Sequence, residues 1–309
     1  MDPIDIVISW VDGSDDKRAE ALLQSRDTKN SVRGSLSASR WEDNEELRFC
    51  LRSIEQYAPW VRKIHLVTSF GQRPSWINQD HPKLHIVDDD EILGTCCLPT
   101  FSSHAIESNL HRIPGLSNKF IYMCDDYFFN KQVMPEDFFD GGKICVFECS
   151  EGSPRGVAVR SDGYRAGIKN ANRLLDKVFG FKRRGMLKHV AYPLTRRIYR
   201  DCWSIFTEDL DGTSREKFRS VNDVCPSSFL MPHYAIHSGQ GVARSVKVAG
   251  RNTIEEGEKD FLLGHINFGT KRDVQRLFKK IFPRHCSFES VVKHETPWWR
   301  ALAWLKRAI

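Results

Sequence analysis

No uninterrupted apolar run among the 309 residues approaches the roughly 18 that span a bilayer, so no membrane-crossing helix is expected. The cysteines also lack a pattern. There are nine, an odd number, scattered along the chain; Cys96 and Cys97 adjoin, Cys145 and Cys149 stand four apart, and no CxxC pair exists. That removes the usual zinc signature and points to reduced thiols in cytoplasm. The opening MDPIDIVISWVDG is acidic and enters a strand-like pattern at once, which reads against a secretory signal. There is no internal repeat and no low-complexity tract. Charge of one sign is in modest excess only. A net charge of +6 and a pI near 8.8 suit a phosphorylated or otherwise anionic partner and are too weak to argue for nucleic acid. What remains is an ordinary globular composition, 40% hydrophobic and 28% charged, which excludes a disordered tail. The length is about twice that of a typical domain.

The first half alternates in type. IDIVISW, from Ile4 to Trp10, reads as a buried strand closed by the turn pair Asp12-Gly13. Residues 14 to 40 are polar and aperiodic and read as a long loop that orders over a ligand. A helix is expected from about Glu42 to Tyr57, with Leu47, Leu51 and Ile54 on one stripe and Pro59 closing it. Strands follow at 63–68 and 83–87, then a helix after Ser103 with Ile106, Leu110 and Ile113 inward, then a strand at 119–123. This is the alternation of an α/β domain with a mostly parallel sheet flanked by helices. The second half differs. It is basic over 155–200 and then shows helical patterns at 193–208 and 270–281, the latter opened by Thr270 and stopped before Pro283. Three parts are expected: 1–150 as the α/β part with the acidic motif, 151–290 as a basic, helical part, and 291–309 as a Trp-rich helix.

Several residues can carry chemistry. Asp125 and Asp126 stand at the carboxyl end of an expected strand, the edge where open α/β sheets bind ligands. Such a pair either holds a hard divalent cation against phosphate oxygens or makes a solvated turn or helix cap. Asp12, Gly13 and Asp15 follow the first strand in the same way, as a nucleotide cradle or a simple turn. Glu107 and His111, four apart on a helix, share a face beside the apolar stripe, as a ligand to metal or sugar or as a surface pair. His189, between a basic cluster and Pro193, is either a general base or a surface histidine. Arg219 has the guanidinium fork that grips phosphate, though surface arginines are common. Asn267, before Thr270, is a turn residue or an uncharged ligand.

Order and context sharpen these signals. The chain resembles the Stealth family of sugar-phosphate transferases in four blocks: IDIVISWVDGSD; RWEDNEELRFCLRSIEQYAPWVRKIHLVT resuming at LPTFSSHAIESNLHRIPGLSNKFIYMCDDYFF; NANRLLDKVFG through HVAYPLTR to KFRSVNDV; and FLLGHINFGTKRDVQRLFKKIFPRHCSFE. The resemblance implies a GT-A or Rossmann-like nucleotide-sugar domain. It also implies transfer of a hexose- or N-acetylhexosamine-1-phosphate from a nucleotide-sugar donor, UDP-linked as in UDP-GlcNAc, with GlcNAc, GalNAc, Gal and Glc all open as the sugar, to a glycan acceptor in capsule or exopolysaccharide synthesis. Glu107 stands at the Glu of the family's AIES, Asp126 at the second Asp of its strand-end pair, His189 at its HxxYPL-like histidine and Arg219 at its FRS-type arginine. All four match positions that look catalytic in the family. Trp10, Asp12, Gly13, Asp15 and Asn172 fall to substrate or nucleotide binding. Asp125, Asp126 and Asn267 fall to a Mg²⁺ or Mn²⁺ site. Two departures stand out: Phe268 replaces the carboxylate that follows the asparagine in the family, and Ala191 replaces a frequent Pro.

In the mechanism this implies, His189 takes the acceptor proton, Arg219 clamps the diphosphate and basic residues from 165 to 200 line the approach. Two other readings use the same features. A GT-A glycosyltransferase would move the sugar alone, and a non-catalytic polyanion-binding protein would use only the basic stretch. The tail carries Trp298, Trp299, Leu302, Leu305 and Ile309 at near-helical spacing among basic residues. It suits a helix at the inner face of the plasma membrane, near a lipid-linked acceptor, or a helix packed on the body.

Overall fold

The apolar run IDIVIS forms β1 (Ile4–Ser9), buried along nearly its whole length as befits the centre of a parallel sheet. The computed structural model describes residues 2–25, 31–34, 43–249, 263–265 and 271–290. A first departure from expectation follows directly after β1. The polar stretch expected as a loop contains α1 (Asp16–Gln24), capped by Asp15, whose carboxylate accepts from the Arg18 amide. Its sequence DKRAEALLQ has no long apolar stripe, but most of its residues are strong helix formers. Part of the same stretch is pinned to the second half of the chain. Ser31 bridges to Ser220, and the Val32 amide donates to the Arg219 carbonyl at 2.9 Å.

α2 (Glu46–Tyr57) buries Leu47, Leu51 and Ile54 as expected. β2 (Ile64–Thr68), β3 (Leu84–Asp88), α3 (Ser103–Asn109) and β4 (Lys119–Cys124) come next. β1 pairs in parallel with β2 and β4, and β2 with β3, so the order runs β3-β2-β1-β4. The expected α/β architecture with a mostly parallel sheet is therefore present. Strand order reverses between β1 and β4, and the crevice outside the carboxyl ends at such a reversal is where these sheets take ligands. At the opposite, amino-terminal edge, Asp5 is fully buried. Burial alone would raise its pKa, but His65, Arg62 and the Ser117 amide donate to it and hold the carboxyl well below the usual range.

α3 is shorter than its periodicity suggests. It gives way at Leu110–Arg112 to a tighter turn, so His111 does not stand one α-helical turn above Glu107 on a shared surface. The His111 ring instead stacks 5.1 Å from Tyr199 and lies 6.0 Å from Trp203.

Beyond β4 come β5 (Tyr127–Phe129), α4 (Pro135–Phe138), β6 (Phe139–Asp140), β7 (Lys143–Gly152), α5 (Arg165–Phe179) and β8 (Gly185–Leu187). The helix expected over 193–208 begins later. Residues 192–195 are β9 (Tyr192–Thr195), antiparallel to β4, and α6 (Arg196–Ile205) starts only after Thr195 caps it. Pro193 is tolerated because β9 is an edge strand. α7 (Thr207–Arg215), α8 (Met231–His237), β10 (Gly241–Arg244), β11 (Val248–Ala249), β12 (Leu263–His265) and α9 (Lys271–Ile281) complete the order. The second half, expected to be helical, thus also carries strands: β10 pairs with β7, and β12 with β5. Strands this short hold too few residues to show alternation. β7 passes straight through position 150, and one apolar core extends from Ile4 to Phe288, so the two expected parts share their interior. The Thr270 cap and the tail at 291–309 fall outside the described residues.

Candidate active site

β1 and β4 end side by side, with Ser9 opposite Cys124. The residues that follow, Trp10 from one strand and Asp125-Asp126 from the other, open into a cavity of about 300 Å³. α3 supplies Glu107 to this cavity, and the segment after α7 supplies Arg219. Five of the residues singled out in the sequence therefore converge from four separate segments.

The polar atoms lining the cavity are unusual for buried groups. Glu107 is 5% exposed and Asp126 9%. Glu107 Oε2, Asp126 Oδ2, Trp10 Nε1 and Ser102 Oγ all lack a hydrogen-bond partner among the described residues. Such atoms are normally satisfied in folded proteins, and four around one cavity mark a place shaped to meet a ligand. Acidic side chains are also concentrated there. Burial first, then Asp126, Glu46 and Asp43, pushes the Asp125 carboxyl well above the usual range. Glu46, at the start of α2, is raised mainly by burial, although the Asn44 amide donates to it at 2.8 Å.

Two guanidinium groups face these acids, and the second was missed in the sequence. Arg18 lies on α1, is 2% exposed, and stands 5.3 Å from the centre of the Phe101 ring. Reading α1 as a loop concealed it; the helix formers from Asp16 to Gln24 were the available signal. Phe101 stacks in turn on Phe218 at 5.3 Å, next to Arg219. Arg219 donates to the Ser103 hydroxyl at the start of α3. The buried Asp223 accepts from the Ser220 amide at 2.9 Å and lies 3.1 Å from His104 Nδ1, which fastens the Arg219 segment to α3.

His189 is not among the residues that line the cavity; its side chain is 46% exposed and its Nε2 lies 3.8 Å from Asp126 Oδ2. Its Nδ1 bonds the Tyr127 hydroxyl at 2.9 Å. Burial keeps that phenol well above its usual pKa, hence neutral, so it fixes the ring without adding charge.

Other expected residues have local structural partners. Asp12 accepts from the Ser14 amide and hydroxyl at 2.8 and 2.6 Å, and Gln72 holds its backbone through two further bonds. With Gly13 it shapes the turn into α1, and Asp15 caps that helix. Asn172 is not brought to this cavity. It is buried under a second groove of about 980 Å³, donating to Ser153 Oγ and the Pro154 carbonyl. The basic residues from 165 to 200 do not line the first cavity either; Lys169, Arg173 and Lys177 line the second groove. β12 ends at His265, paired with Tyr127, and Asn267 lies outside the described residues.

The donor set fits a hard divalent cation. Among the described residues no cluster of three or more His, Cys, Asp or Glu side chains could hold a metal. Two carboxylates, one with an unsatisfied oxygen, nevertheless match Mg²⁺, which commonly takes one or two carboxylates and completes its shell with substrate phosphates and water.

Residues 40–146 match the description "Stealth protein CR2, conserved region 2", and residues 188–237 match "Stealth protein CR3, conserved region 3". An exopolysaccharide phosphotransferase of Streptomyces coelicolor is 40% identical over 250 residues, covering 80% of this chain and 42% of the relative. The capsular polysaccharide phosphotransferase SacB of Neisseria meningitidis serogroup A is 34% identical over 254 residues, covering 79% of this chain and 45% of the relative. This chain belongs to the Stealth family. It spans less than half the length of the curated relatives it matches. Among solved structures, galactosyltransferase LgtC with donor and acceptor sugar analogs aligns at a TM-score of 0.48 and 10% identity, over 96% of this chain and 99% of that one.

Proposed function

We propose that the cavity transfers a sugar-1-phosphate from a nucleotide-sugar, UDP-linked, to a hydroxyl of a growing capsule or exopolysaccharide glycan. The observation that carries this reading is the meeting of Glu107, Asp126 and Arg219 around four unsatisfied buried polar atoms, with His189 3.8 Å from one of them.

In this mechanism the acceptor oxygen attacks the phosphorus that bears the donor sugar. The phosphoanhydride P–O bond breaks, the nucleoside monophosphate leaves, and the anomeric C–O bond survives. Such displacements need positioning and charge stabilisation more than covalent help. His189 Nε2 takes the hydroxyl proton, while Tyr127 holds the other ring nitrogen. Arg219 and Arg18 grip the diphosphate oxygens by charge-assisted bonds. Glu107 accepts from hydroxyls of the donor sugar. Asp125 and Asp126 would hold Mg²⁺ or Mn²⁺, which when bound neutralises phosphate charge, and the family resemblance assigns Asn267 to the same ion. The Trp10–Asp15 turn holds the nucleotide.

The test is the product. Purified chain with UDP-sugars and an oligosaccharide acceptor should release nucleoside monophosphate and give a phosphodiester signal in ³¹P NMR. Release of nucleoside diphosphate with an ordinary glycosidic product would replace this reading with glycosyl transfer.

A further inference from the structure

Away from the cavity, two turns carry large apolar side chains directly into solvent. Val157 is 86% exposed and Phe181 73%, and Val159, Tyr164 and Val178 nearby are each more than two-fifths exposed. Both tips follow a left-handed glycine, Gly156 at φ +94° and Gly180 at φ +71°, a conformation that costs glycine little. The tips belong to one face. The Arg155 guanidinium lies 4.4 Å from the centre of the Phe181 ring and donates to the Lys182 carbonyl, and the Val157 carbonyl accepts from Lys169 at 3.3 Å.

The charges on this face are one-sided. Its acids are engaged: Asp162 by Lys169 at 2.8 Å, Asp176 by Arg184 at 2.7 Å, and Glu151 by Arg165 at 3.2 Å. Arg173, Lys177, Lys182 and Arg183 are exposed and make no ion pair with a described residue. Glu208, Asp209 and Glu216 line the second groove together with Val157, Arg173 and Lys177 and bound the patch on that side. Protruding apolar tips inside a collar of cations match an anionic lipid surface, whose acyl boundary takes the rings while its headgroups meet the Lys and Arg side chains. A flat or concave apolar face would instead suit a protein partner.

We propose that the Val157 and Phe181 turns, with Arg173, Lys177, Lys182 and Arg183 around them, dock this protein on the anionic surface of a bilayer.

Co-sedimentation of the full chain with vesicles tests this. Binding should require phosphatidylglycerol in a phosphatidylcholine bilayer and weaken as salt rises. The Val157→Ser/Phe181→Ser variant should lose about tenfold in affinity or more. Lys182→Ser/Arg183→Ser should lose about fivefold per charge removed. Both should keep the melting temperature of the parent chain. Four results would overturn the proposal. These are binding by both variants equal to that of the parent; equal binding to pure phosphatidylcholine at all salt concentrations; loss only in a Trp298→Ser/Trp299→Ser chain; or a changed oligomeric mass in the Val157→Ser/Phe181→Ser variant with vesicle binding intact.

Discussion

His189 and Tyr127 show how the site divides labour between neighbouring side chains. Replacing His189 by Gln keeps a hydrogen-bonding group of similar reach but removes the proton acceptor, so transfer should fall about 10²- to 10⁴-fold with folding unchanged. Steady-state rates alongside circular dichroism check this. Tyr127→Phe removes only the hydroxyl that fixes the ring, and its loss should be smaller and confined to kcat. Arg18→Lys keeps the charge but loses the planar fork, and the donor KM should rise about tenfold. His111 makes a different kind of prediction. Burial, then Arg112, Arg196 and Arg200, pulls its pKa down to about 4 from 6.5. The unfolded chain therefore binds the proton first as pH falls, and stability should drop by about 1.4 kcal/mol per pH unit between roughly 6.5 and 4, levelling below. Urea midpoints across that range should lose this slope in His111→Phe.

At the scale of elements, long periodic segments were legible and short ones were not. β1, α2, β2, β3 and β4 fall where apolar runs and stripes place them. α1 was hidden because propensity rather than periodicity makes it helical. β9 was hidden because four residues ending in a capping threonine look like the start of a helix. The acid pair, Glu107 and Arg219 were legible as a group through resemblance to the family, whereas Arg18 depended on seeing α1. β12 is sensitive to a small change. A Cβ on Gly264 would lie 2.5 Å from Phe128 Cζ, inside any real contact. Gly264→Ala should displace β12 from β5 and cost about 1–3 kcal/mol in chemical unfolding. An unchanged midpoint would show that the Phe128 ring yields freely. Asp15→Ser, by contrast, keeps a capping oxygen and should leave stability within about 1 kcal/mol of the parent.

For the molecule as a whole, the last described segment returns to the first helix of the core. Glu289 bonds Arg52 at 2.6 and 2.8 Å and Arg48 at 2.9 Å, while Ser290 donates to the Trp76 carbonyl. Burial would raise the Glu289 pKa, but Arg52, the Cys286 amide and Arg48 hold it down to about 2. The stability it gives is present above its ordinary pKa and is lost as pH falls from about 4.5 towards 2. Glu289→Ala would leave Arg52 buried without its carboxylate and should cost about 3–5 kcal/mol, read as a lowered Tm. The antiparallel seat of β9 on β4 has a further consequence, for synthesis. Until residue 195 has left the ribosome, the nascent sheet ends in an open row of amide and carbonyl groups along β4. An emerging chain in that state invites pairing with a neighbouring nascent chain, and slow translation through positions 130 to 190 should favour aggregation over yield.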